Sequence, residues 1–66
     1  MKNNVKIERT RCGLTQQELA DLLTVSRQTV NSIEANRYVP STVLALKLSK
    51  FLKTTVEELF SLEESD

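Results

Sequence analysis

Apolar residues in this chain recur at the three- and four-residue spacing of helices, in short blocks, and nowhere alternate long enough to build a sheet. Thr15, Ser26, Pro40-Ser41 and Thr55 each stand just ahead of such a block, where a helix start needs a capping oxygen or a fixed φ. The pattern predicts an all-helical fold of four or five short segments. Sixty-six residues have room for one small core, so residues 1–66 are expected to form a single domain.

The first segment spans about Asn4 to Cys12, with Val5 and Ile7 expected to point inward, and it breaks at Gly13, a natural C-cap. Thr15 followed by Glu18 predicts a capping box that opens the second helix. Leu19, Ala20, Leu22 and Leu23 supply that helix's apolar stripe. Ser26 caps a third segment, Arg27 to Glu34, in which only Val30 and Ile33 face a core. Its remaining side chains, Arg27, Gln28, Thr29, Asn31 and Ser32, are hydrogen-bonding groups rather than a merely solubilising face. A loop from Ala35 to Pro40 leads to the most apolar helix, carrying Val43, Leu44, Leu46, Leu48, Phe51 and Leu52. A second box, Thr55 with Glu58, opens a last short helix bearing Val56, Leu59 and Phe60, followed by Leu62. The two ends, Met1 to Asn4 and Ser61 to Asp66, could pair as a small strand ribbon, although their charges argue against it.

Composition narrows the chemistry. There is no His and one Cys, which excludes a Ser-His-Asp site, a Cys-His pair, an intramolecular disulfide and a Cys/His zinc site. With one Gly and one Pro there is no Gly-rich phosphate loop. No nucleophile, base and orienting group occur together, so no enzyme, metal or cofactor is expected, and Cys12 reads as an incidental thiol. No apolar run approaches a membrane span and the start lacks a signal-peptide core, so a cytoplasmic, soluble protein is expected.

The formal net charge of zero conceals an asymmetry. Residues 1–56 carry nine basic and four acidic side chains, a net of +5, and the other five acids all lie in residues 57–66. A basic body with an acidic end suits an anionic partner better than the total suggests.

The run from Gln16 through Glu34 resembles the helix-turn-helix of the phage repressor/Cro (XRE) family. Ala20 is the small residue that lets two helices approach, and Val30 is the branched residue that locks their crossing. The flanks agree, with Gly13-Leu14-Thr15-Gln16 before the motif and Pro40-Ser41 and Thr55 to Phe60 after it. The resemblance implies a compact bundle of about five helices, the third lying in the DNA major groove and the second crossing the backbone. Arg27 and Gln28 would then lead base recognition, the first pairing with guanine and the second with adenine, with Asn31 and Ser32 behind them. Gln16, Gln17, Thr29, Asn36, Arg37 and Tyr38 are the implied backbone contacts. Tyr38 could alternatively pack as a lid on the core.

Three further implications concern the frame. Arg9 and Glu34 fall where relatives form a partly buried ion pair. Thr24 stands where the motif usually has Gly, and Val39 stands where relatives are often polar. The family solution to limited contact is a two-fold dimer on double-stranded DNA, for which Phe60, Leu62, Leu46 and Val43 offer apolar surface. The expected function is a homodimeric, sequence-specific repressor of a palindromic operator, without a small-molecule effector. The alternative is the antitoxin of a toxin–antitoxin pair, which would bind a toxin protein as well as DNA.

Overall fold

A computed structural model describes all 66 residues as five helices flanked by two short strands. In order these are β1 (Lys2–Asn3), α1 (Val5–Arg11), α2 (Gln16–Leu23), α3 (Arg27–Glu34), α4 (Thr42–Leu52), α5 (Val56–Leu59) and β2 (Phe60–Ser61). One apolar cluster unites all five helices, centred on the fully buried Val5, Leu19, Val30, Leu48 and Leu59.

The helix starts follow the expected chemistry. Thr15 forms a complete capping box, its Oγ1 accepting the Glu18 N–H at 3.0 Å while Glu18 Oε1 accepts the Thr15 N–H at 2.8 Å. Ser26 and Ser41 cap α3 and α4 in the same sense, each accepting an N–H three residues on. At α5 only half of the expected box forms. Thr55 accepts the Glu58 N–H, but the Glu58 carboxylate instead takes the Thr54 hydroxyl at 2.6 Å.

Two apolar side chains lie elsewhere than their pattern suggested. Ile7 is 61 % exposed, because residues two apart sit on opposite sides of a helix, and Glu8 shares the Val5 face instead. Leu22 is also exposed, since Leu19, Ala20 and Leu23 already fill the face of α2 that meets the core.

The turn between α2 and α3 keeps the left-handed conformation without glycine. Thr24 sits at φ 59°, ψ 44°, and the Val25 N–H donates to the Ala20 carbonyl across it. Asn36 and Lys53 end α3 and α4 in the same region, and Gly13 follows α1 at φ 73°.

The terminal ribbon forms, antiparallel, with Lys2 opposite Ser61 and Asn3 opposite Phe60. Phe60 therefore begins a strand rather than extending α5. The end charges assist this pairing instead of opposing it: the Met1 ammonium lies 3.0 Å from Glu63 and 3.1 Å from Asp66. Asn4 adds a stitch, donating from its backbone N–H to Leu59 O and from Nδ2 to Glu58 O.

Candidate nucleic-acid interface

The geometry of α3 follows from a short apolar edge on an otherwise polar helix. Val30 and Ile33 are buried and fix the helix against the core, which leaves Arg27, Gln28 and Asn31 exposed along the outer side. These three line one shallow depression. Gln28 also lines a second, of about 310 Å³, with Ser26, Thr29, Ser32, Arg37 and Tyr38. The base-contact candidates and the loop after α3 thus share one continuous surface. Thr29 is half-buried, its hydroxyl 2.9 Å from that of Ser26, so it supports the helix cap.

What holds α3 at a fixed angle is a cluster of polar bonds behind its C-terminal end. Arg9 Nε donates to Glu34 Oε2 at 2.7 Å and Nη2 to Oε1 at 3.3 Å, while Nη1 donates to the Leu14 carbonyl at 2.7 Å. Gln16 Nε2 donates to the same Glu34 Oε1 at 3.0 Å. Both members of the ion pair are largely shielded from water. Glu34 therefore ties α1, α2 and α3 together, and Gln16 is both the first residue of α2 and a prop for α3.

Gln16 and Gln17 line a depression at the start of α2 whose far wall is Arg27. Free N–H groups and the positive end of the helix dipole open there, as phosphate binding requires. The Gln17 amide itself donates to Asp21 at 2.9 Å.

The loop after α3 is anchored near its start. Asn3 Nδ2 donates to both Ile33 O, at 2.9 Å, and Asn36 Oδ1, at 2.7 Å. Asn36 is thereby a structural cap as well as a contact candidate. Asn3 is a positioning residue that no periodic pattern announces, because its partners lie thirty or more residues away. Tyr38, 45 % exposed, lines the depression on the outer side of α3 and also a groove with Leu23, Val25 and Leu44.

Among the apolar surface candidates, Leu46 and Phe60 line one groove with Met1, Val39, Pro40 and Val56. Val43, 64 % exposed, borders a separate groove beside Leu23, Val25 and Tyr38, and Leu62 projects at 82 % exposure. No helix is long and apolar enough to cross a membrane.

The Helix-turn-helix family model matches residues 5–59, the full set of helices. The chain belongs to the XRE-type helix-turn-helix family. It is 47 % identical over 66 residues to the uncharacterised HTH-type transcriptional regulator YgzD of Bacillus subtilis (strain 168), covering all of both chains. It is 44 % identical, again over the whole of both, to the uncharacterised HTH-type transcriptional regulator MJ0272 of Methanocaldococcus jannaschii. The HTH-type transcriptional activator BcrR of Enterococcus faecalis is 38 % identical over a region that is 97 % of this chain and 32 % of BcrR. Membership makes this helix-turn-helix protein a DNA-binding transcriptional regulator.

Within that family frame the acidic end is accounted for locally. Glu63 and Asp66 fold back on the Met1 ammonium, whose pKa they raise, mainly through the hydrogen bond to Glu63. The Asp66 carboxyl is held below the usual range, first by the Glu63 backbone N–H and then by the ammonium.

Proposed function

We propose that the protein is a homodimeric repressor that occupies a palindromic operator, with α3 in the major groove. The observation that carries this reading is the outer side of α3. Arg27, Gln28 and Asn31 stand exposed on a helix held from behind by the Arg9–Glu34–Gln16 cluster. Arg27 suits guanine O6 and N7, Gln28 suits adenine N6 and N7, and Asn31 and Ser32 lie further along the same helix. Gln16 and Gln17 would meet one DNA strand, and Thr29, Asn36, Arg37 and Tyr38 the edge of the groove.

A second copy supplies the reach that one small domain lacks. The protomer measures 32 × 21 × 20 Å, so two joined through the Leu46–Phe60 groove, with the exposed Val43 and Leu62 as further apolar surface, suit half-sites about 34 Å apart. Repression by occlusion asks only for occupancy of a promoter. BcrR, named as an activator, extends far beyond the region shared with this chain.

Selection of bound duplexes from a random pool, followed by binding across a salt series, tests the proposal. Enrichment of a palindrome and a steep fall of affinity with salt are expected. Failure to enrich any sequence, or a salt slope near zero, overturns it.

A further inference from the structure

Asn31 and Arg37 lie on the proposed DNA-facing surface and are bonded to each other. Arg37 Nη2 donates to Asn31 Oδ1 at 2.9 Å. Arginine carries donors and no acceptor, so this contact settles which end of the Asn31 amide faces it. The oxygen is turned to Arg37, and the NH2 is the free end. A flipped amide would set donor against donor.

Both partners are anchored through the backbone. Asn31 lies within α3 and its carbonyl accepts from the Ala35 N–H, while the Arg37 N–H donates to Ser32 O at 2.9 Å across the left-handed Asn36. Asn36 is fixed in turn by Asn3. The clip therefore joins side chains that spring from two positions of fixed backbone.

The consequence concerns which base the clip can read. Adenine shows the major groove an acceptor, N7, and a donor, the N6 amino group; an unencumbered Asn pairs with both, by donating and accepting. Guanine shows two acceptors, N7 and O6. One lone pair of Oδ1 is taken by Arg37, and the guanidinium beside the other opposes an incoming amino donor by charge and bulk, so the free NH2 is the favoured reading end of Asn31, and the remaining Arg37 N–H groups add further donors. We propose that Arg37 is a positioning residue that sets the base preference of Asn31, making the pair an all-donor reader that favours guanine over adenine. This rests on α3 being the recognition helix.

The test uses the full chain and random duplex pools, comparing wild type with Asn31→Ala and Arg37→Ala, each checked for an unchanged far-ultraviolet circular dichroism spectrum. Asn31→Ala should flatten one base step per half-site, at which the wild type prefers guanine. Arg37→Ala should turn that same step toward adenine, a change of roughly ten-fold or more in the guanine-to-adenine affinity ratio, and leave the other steps alone. If Arg37→Ala instead weakens all sequences alike with preference unchanged, or if Asn31→Ala alters no step, the inference fails while α3 remains the recognition helix. If the wild type enriches no sequence, the proposed function fails and the inference with it.

Discussion

Arg9 on α1 and Glu34 at the end of α3 form a two-bond ion pair, 2.7 Å and 3.3 Å, in a largely water-shielded site. The Leu14 carbonyl and the Gln16 amide complete the hydrogen bonding around it. A shielded pair of this kind stabilises little relative to a well-packed apolar substitute, yet loss of one partner strands the other without compensation. Arg9→Ala should therefore destabilise the fold by about 3–5 kcal/mol, most of the stability of a domain this small. Replacing both partners by Met and Leu should recover much of the loss. Thermal melts of the single and double variants check this, and an unchanged midpoint for Arg9→Ala would refute it.

Thr24 carries strain that is separable from DNA recognition. A β-branched residue in the left-handed region is disfavoured, and Thr24 holds φ 59° at the turn between α2 and α3. Thr24→Gly should relieve this and raise stability by about 0.5–1 kcal/mol after the entropy that glycine adds to the unfolded chain. The melting temperature should rise by about 3–6 °C. Operator affinity should not change, since the turn geometry is retained.

The helices were legible in the sequence because their signals are local. Thr15 with Glu18, Ser26 before Arg27, and Val30 with Ile33 lie within a few residues of one another, and the structure follows all three. The Arg9–Glu34 pair spans 25 residues and was suggested only by family resemblance. Asn3 bridging to Ile33 and Asn36, and Phe60 turning from helix to strand, were not legible, because both depend on the N-terminus returning across the bundle. Ile7 and Leu22 differ for another reason: Ile7 lies two residues from Val5 and so on the opposite side of α1, a spacing the sequence does show, whereas Leu22 is outcompeted by Leu19, Ala20 and Leu23 for the core face of α2. At the interface, the sequence offered Asn31 and Arg37 as separate contacts, and only the fold joins them.

Leu46 is 59 % exposed on the apolar groove assigned to a second copy. Leu46→Glu would bury two charges across a two-fold interface while leaving the protomer core intact. Sedimentation equilibrium should show dimerisation weakened by at least ten-fold, with a melting curve close to wild type at high dilution. Operator affinity should fall with the dimer. A variant that remains fully dimeric would place the interface elsewhere.

Gln28 lines both depressions on the outer side of α3. Its role as a base reader predicts that Gln28→Ala relaxes one position of the operator and costs about 1–3 kcal/mol there. A contact to phosphate would behave differently, lowering affinity for every sequence by a similar factor. Selection from a random duplex pool with wild type and variant separates the two, and an unaltered preference at every position would remove Gln28 from the reading set.

The ribbon clasp should respond to pH at both ends of the range. The Met1 ammonium has its pKa raised from 8.0, so its contribution is fully present below about 8 and is lost as pH climbs through the higher folded value. Asp66 has its pKa lowered from 3.8, so its contribution holds above about 4 and is lost as pH falls through the lower folded value. Between these limits the ammonium and the carboxylate are both charged and clasp β1 against β2. Amide chemical shifts of Lys2 and Ser61 should be flat from about pH 5 to 7 and move outside that window. Acetylating the N-terminus should abolish the alkaline change and leave the helix signals in place, because the groups concerned are exposed and lie outside the core. A ribbon whose shifts ignore both pH and acetylation would mean that its backbone bonds alone hold it closed.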